Sequence, residues 1–226
     1  SSFHVANVFR QPSAMPRRVV QKRTRNNKKG ETAMKKDIIL AGVGGQGILS
    51  IATVIGEAAM AEGWNIKQAE VHGMSQRGGD VQSNLRLSTE PIASDLIPKG
   101  GADIIISLEP MEALRYLSYL KKDGWVVTSN VPFINISNYP EQEELYKHLQ
   151  ALPHCVSLNV EQIAKEAGAP LQAANMVLLG AAIPMLDIEK EKIEAGIQRI
   201  FARKGEEVVK KNLAAVQAGY ENSVKL

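Results

Sequence analysis

Cysteine is nearly absent. Cys155 stands alone among 226 residues, so no intramolecular disulfide can form and the chain reads as one suited to a reducing cytoplasm. One thiol also excludes an iron–sulfur cluster held by this chain alone, because such clusters need about four thiolates. Long apolar runs free of charge are missing as well. None reaches the ~18 to 20 residues of a membrane span, and no positively charged start followed by a long apolar stretch marks a secretory signal. Catalytic signatures are equally scarce. His4, His72, His148 and His154 show no metal-ligand spacing, G-x-S-x-G does not occur, and no glycine loop ends in G-K-[ST]. Zinc hydrolysis, serine-nucleophile chemistry and nucleoside triphosphate hydrolysis therefore have no support.

Acidic residues are missing from one end only. The first 36 residues carry ten Lys and Arg against Glu31 alone, and with +3 overall the remaining body carries −6. The basic pI thus belongs to a leader, and the body lacks the positive field that draws nucleic acid. Residues 1–33 have Pro, Ser and Asn with little apolar periodicity and are expected to be disordered. Three origins fit this leader: translated upstream sequence or an expression leader, a solvated binding tail, and an Arg-rich transit peptide. Residues 34–226, in a chain 44% hydrophobic and 23% charged, make one globular domain of ordinary composition.

What is present is an alternation of strands and helices. Asp37 to Val43 reads as a strand, Gly47 to Glu62 as a helix apolar on nearly every side, Ile66 to Val71 and Val81 to Ser88 as two further strands, the second with period two. Ala102 to Leu108 is a continuous apolar run, expected of a parallel strand covered on both faces. A helix follows over Pro110 to Leu120, then strands over Trp125 to Ser129 and Val156 to Asn159 and a short helix over Val160 to Glu166. An apolar helix from Asn175 should end near Pro184. Two amphipathic helices follow, marked by Ile193, Ile197, Ile200 and Phe201 and by Val209, Leu213, Val216 and Tyr220. The pattern predicts an α/β, three-layer Rossmann-like fold with a mostly parallel sheet and helices on both faces, and ligands gathering at the carboxyl ends of the strands. The two most apolar helices, the first and the one from Asn175, are expected to leave surface for a partner.

Chemistry concentrates in two glycine-rich loops. Gly42, Gly44 and Gly47 match G-x-G-x-x-G, and with Gly45 and Gln46 they join the first strand to its helix, whose free N–H groups suit an anion. The bland alternative is a turn kept only for packing. Ser75, Gln76, Arg77, Gly78 and Gly79 form a connection longer than a hairpin needs, with one planar guanidinium suited to phosphate or carboxylate; here the alternative is a solvated loop. His72 beside it reads as a structural hydrogen-bonder. Glu70, at the end of the second strand and a little over 20 residues past Gly47, is placed to accept a ribose hydroxyl, which keeps a stand-alone NAD- or flavin-dependent oxidoreductase open. A non-enzymatic binding protein working through the leader is a further class.

Taken together, Gly42-Val43-Gly44-Gly45-Gln46-Gly47, Ser75-Gln76-Arg77-Gly78-Gly79, Ala102-Asp103 opening a strand that leads to Leu108-Glu109, and Asn175 followed by Leu179-Gly180 resemble the gamma-type subunit or domain of the 2-oxoacid:ferredoxin oxidoreductases, nearest to the beta-subunit type of the indolepyruvate enzymes. The resemblance runs from about Met34 to the C-terminus. It implies a share in oxidative decarboxylation of an arylpyruvate to an acyl-CoA with electrons passed to ferredoxin. Thiamine diphosphate and iron–sulfur clusters would sit on a large alpha-type partner, none of them on this chain. It implies a hetero-oligomer, with a homodimer as the form open to the isolated chain, and a part in handling coenzyme A. The site residues it points to are Gly42, Gly44, Gly45, Gln46 and Gly47 with Ser75, Gln76, Arg77 and Gly78, and it gives no catalytic residue and no metal ligand.

Overall fold

The computed structural model describes residues 5–6, 33–72, 79–134 and 136–225. Its body alternates β2 (Lys35–Val43), α1 (Ile48–Ala61), β3 (Asn65–His72), β4 (Asp80–Ser88), β5 (Ala102–Ser107), α2 (Pro110–Arg115), β6 (Leu120–Ser129), α3 (Gln142–Gln150), β7 (Cys155–Leu158), α4 (Val160–Glu166), α5 (Ala174–Leu186), α6 (Lys190–Phe201) and α7 (Glu206–Ser223). Within the leader read as disordered, a two-residue strand β1 (Val5–Ala6) pairs with β3; residues 1–4 and 7–32 lie outside the described residues.

The sheet order is β1-β3-β4-β2-β5-β6-β7. β2, β5, β6 and β7 are parallel neighbours, and β4 runs antiparallel between β2 and β3. From Ile38 to Val43 every residue of β2 is buried, because the strand is covered on both sides. Alternate residues supply the two cores. Ile38, Leu40, Ile104 and Ile106 face α1, α5, α6 and α7, whereas Ile39, Ala41, Ile105 and Val126 meet Ala113 and Tyr116 on the side of α2. The three-layer α/β expectation holds, with β4 and the short β1 as reversed strands.

The period-two pattern of β4 does not reflect a wet face. Leu85 and Leu87 enter the larger core, but Asn84 and Arg86 opposite them fasten a covering loop: Asn84 Oδ1 accepts from Ile97 N–H, and Arg86 donates to the carbonyls of Ser94 and Leu96 and to both oxygens of buried Asp37. Three predicted bounds also shift. The helix from Pro110 stops at Arg115, and after a short 3₁₀ turn β6 already starts at Leu120, with an irregular register against β5 between Ala102 and Ile104. α5 runs past Pro184 to Leu186, since a proline in the last turn removes only one N–H bond and most of the helix precedes it.

The expectation of open apolar surface on α1 and α5 is corrected. Ile51, Ala52, Val54, Ile55, Ala58 and Ala59 of α1, and nearly all of α5, are buried within the chain, under α6 and α7. Glycine makes the α5–α7 contact so close: a Cβ on Gly180 would stand 2.0 Å from the Val216 carbonyl oxygen, and one on Gly219 1.9 Å from that of Val177. Of the large exposed apolar side chains, Met60 alone lies on α1, Met34, Leu96 and Val224 are scattered, and Phe133, Ile134, Ile136 and Leu171 lie near the carboxyl ends of the strands.

Candidate functional site

The chain leaves β2 on one side toward β3 and β4, and β5 lies on the other, so the carboxyl end of β2 is where the winding reverses and a crevice is expected. One of about 450 Å³ opens there. The glycine turn, Leu108 after β5, Ser129 at the end of β6, Val160 and Glu161 of α4, and Gln172 and Asn175 at the start of α5 line it, with Phe133 and Leu171 as apolar walls.

The turn is built from its own side chains. Gln46 Oε1 accepts from Val43 N–H at 2.7 Å and its amide donates to the Leu108 carbonyl at 3.3 Å, tying the ends of β2 and β5 together; Gly42 leaves room for that amide. Gln46 is thus a positioning group, with its side chain spent inside the turn. Gly44 N–H donates to the Gly79 carbonyl at 2.9 Å. Gly47 caps α1 at φ +82, and a Cβ there would fall 2.7 Å from Asn175 Nδ2, which instead donates to the Gly47 carbonyl at 3.1 Å. Asn175 thereby fastens the first turn of α5 to the cap of α1. Neither helix has a side-chain cap or an acidic residue in its first turn; α5 continues a 3₁₀ turn over Leu171–Ala173 whose Leu171 carbonyl takes the Ala174 N–H, so it is the N-terminus of α1 that brings unneutralised partial positive charge to the crevice. Glu161 on the rim opposes it.

A buried carboxylate sets the far wall. Glu109, fully buried, accepts from Glu112 N–H at 2.9 Å and so caps α2, and its other oxygen accepts from Phe133 N–H at 3.3 Å and from the Tyr139 hydroxyl. Burial, and then the Glu109 acceptor, pushes the Tyr139 phenol well above its ordinary range, which keeps it a donor. Nearby, burial raises Glu112 against the opposing pull of Arg115.

Of the predicted site residues, Gly42, Gly44, Gly45, Gln46 and Gly47 come together around this crevice or its foundation. Ser75, Gln76, Arg77 and Gly78 lie outside the described residues, and of His72 only the backbone pairing with Val81 is described. Glu70 fails its dinucleotide role on topology: that role needs the second strand beside the first, and β4 lies between them. Its buried carboxylate accepts from Gln68, which also bonds Ser83. Ser50, Phe133 and Leu171 are site-lining residues that sequence patterns missed. A larger cavity, about 720 Å³, lies at the opposite, amino edge of the sheet beside Lys36, Lys121 and Cys155, away from the strand ends where α/β folds bind ligands.

The described residues do not fit a metal centre. No group of three or more His, Cys, Asp or Glu among them could hold an ion, and burial pushes the Cys155 thiol up to about 11.

The sequence profile described as pyruvate ferredoxin/flavodoxin oxidoreductase matches residues 37–222. The chain belongs to this family. A family relative, indolepyruvate oxidoreductase subunit IorB of Archaeoglobus fulgidus, is 36% identical over 84% of this chain and 96% of its own length. The keto/oxoacid ferredoxin oxidoreductase gamma subunit of Geobacter sulfurreducens superposes with a TM-score of 0.61 at 25% identity, over 84% of this chain and 99% of that one. The 2-oxoglutarate:ferredoxin oxidoreductase of Magnetococcus marinus, solved with 2-oxoglutarate, coenzyme A and succinyl-CoA bound, shares the fold at a TM-score of 0.67 and 22% identity, over 85% of this chain and 31% of that one. The resemblance seen in the motifs is to this family.

Proposed function

We propose that the chain is the subunit of an indolepyruvate or other arylpyruvate ferredoxin oxidoreductase that carries neither thiamine diphosphate nor iron–sulfur clusters, and that its crevice takes the pyrophosphate of coenzyme A. The near full-length likeness to an indolepyruvate oxidoreductase subunit supports the substrate class. One observation carries the site: the acid-free N-terminus of α1, without a side-chain cap, is bolted by Asn175 to the first turn of α5 over a crevice at the strand ends. Such N–H groups bind phosphate without a cation, and the apolar Phe133 and Leu171 walls suit the less polar part of a long thioester carrier.

In this reading the thiamine partner supplies the carbanion and electron-sink chemistry. This chain binds, orients and shields. The Gly45–Gly47 backbone holds the phosphate end, Gln46 and Asn175 keep the donors aimed, and the Phe133 wall excludes water from the approaching thiol arm. Holding the carrier in one pose lowers the barrier by positioning rather than by proton transfer, consistent with Glu161 being the one ionisable side chain among the described residues that line the crevice.

The test is CoA-dependent reduction of ferredoxin by indolepyruvate with the chain co-purified alongside its large partner. Turnover is expected only when both are present. Turnover by this chain alone after cofactor reconstitution, or activity of the partner undiminished without it, overturns the proposal.

A further inference from the structure

Val131, Pro132 and Phe133 form one wall of the crevice, yet the apolar side chains there and just beyond are poorly buried: Phe133, Ile134 and Ile136 are 43%, 65% and 40% exposed. Packing therefore does not hold this segment. Among the described residues, polar contacts do. Asn130 N–H donates to the Leu158 carbonyl at its base, and Val131 N–H to Ser129 Oγ. Beyond these, Phe133 N–H and the Tyr139 hydroxyl both end on one carboxylate, that of Glu109. The same carboxylate caps α2 through Glu112 N–H, so its own position is fixed from below by a helix and by β5.

We propose that Glu109 is the positioning residue of the crevice: a single buried carboxylate that gathers donors from both ends of the segment and sets how far Phe133 stands from the Gly45–Gly47 turn. This rests on the reading that the crevice receives coenzyme A. A buried acceptor that satisfies three donors fixes their geometry, because any donor that leaves must be re-satisfied elsewhere. The width of the crevice then depends on Glu109 although Glu109 does not line it.

The experiment uses two variants in the assembled complex. Tyr139→Phe removes one donor without touching the α2 cap, and Glu109→Gln replaces one acceptor oxygen by a donor; Tyr139→Phe stands as the informative variant where Glu109→Gln does not fold. Hydrogen exchange of amides 131–139 should rise about tenfold while the strands keep their protection. In steady-state kinetics the KM for CoA should rise about fivefold with kcat changed by less than about twofold and the KM for the oxoacid unchanged. A merely structural role would instead lower the active fraction, so that kcat falls with KM unmoved, and that result overturns the proposal. Unchanged exchange in 131–139 also overturns it. If exchange rises but the KM for CoA does not, Ser50→Glu, a carboxylate placed in the first turn of α1, separates the two failures. When Ser50→Glu raises that KM, the crevice reading stands and the positioning role is refuted; when it does not, the crevice reading itself falls.

Discussion

Ser50 lies in the first turn of α1 and lines the crevice, which makes Ser50→Glu a perturbation that should push stability and binding in opposite directions. Gly47 is the N-cap, so position 50 is the third helical residue, where a carboxylate faces unsatisfied N–H groups and the positive end of the helix; the gain is about 0.3 to 1 kcal/mol. For a domain of this size that raises Tm by about 1 to 4 °C. Against a bound phosphate the same carboxylate is repulsive. Two unit charges about 4 Å apart at an effective dielectric near 20 interact by about 4 kcal/mol, and rotation of the glutamate toward water leaves about half of that. A loss of about 2 kcal/mol is about thirtyfold in KM for CoA. The assay is thermal unfolding of the purified chain beside initial rates of the assembled complex with CoA varied at saturating oxoacid. A more stable protein that binds CoA more weakly is the expected result. An unchanged KM refutes anion binding at the α1 N-terminus, and a lower Tm refutes the assignment of an open, uncapped first turn.

Gly219→Ala drives a methyl group to 1.9 Å from the Val177 carbonyl oxygen, so α5 and α7 must separate; a loss of about 3 kcal/mol or more is expected from urea unfolding, and a loss under about 1 kcal/mol would refute the close contact. The Cys155 thiol, raised by burial to about 11, should react with iodoacetamide far more slowly than a free thiol at pH 8, with the rate climbing about tenfold per pH unit until near pH 11; a plateau near pH 9 would contradict its burial.

How much of this was legible in the residues differs from element to element. Continuous apolar runs such as Ala102 to Leu108 declare buried parallel strands because both faces need the same kind of side chain. The all-round apolar helices α1 and α5 were equally plain, but periodicity cannot say what covers them, and the cover came from α6 and α7 of the same chain rather than from a partner. Helix α3 escaped notice because it buries only Leu145 and Leu149 among charged neighbours, too short a stripe to register as a period. The position of β4 between β2 and β3 was also invisible. An acidic residue about 20 positions past a glycine turn has the dinucleotide spacing whether or not its strand lies next door, so Glu70 looked like a ribose ligand until pairing was known.

At the site, glycines advertised the turn, and Leu108-Glu109 and Asn175 were noticed only as part of a resemblance. Nothing local marks Glu109 as a hub: its partners Phe133 and Tyr139 lie 24 and 30 residues away in an irregular stretch, and long-range polar convergence leaves no periodic trace. The same holds for Asn175 and Gly47, 128 residues apart.

The glycine seam between α5 and α7 has a consequence for how the protein is made. α5 presents apolar side chains on nearly every face, and α7, the helix that seals its outer surface, leaves the ribosome only after it. At about 5 to 20 residues per second, the stretch from Leu186 to Gly219 takes seconds to emerge, and through that interval α5 is greasy and uncovered. The crevice, whose floor includes the first turn of α5, settles only when Gly219 has slid against Val177. Chaperone occupancy during synthesis should therefore concentrate on this interval and end with the arrival of α7.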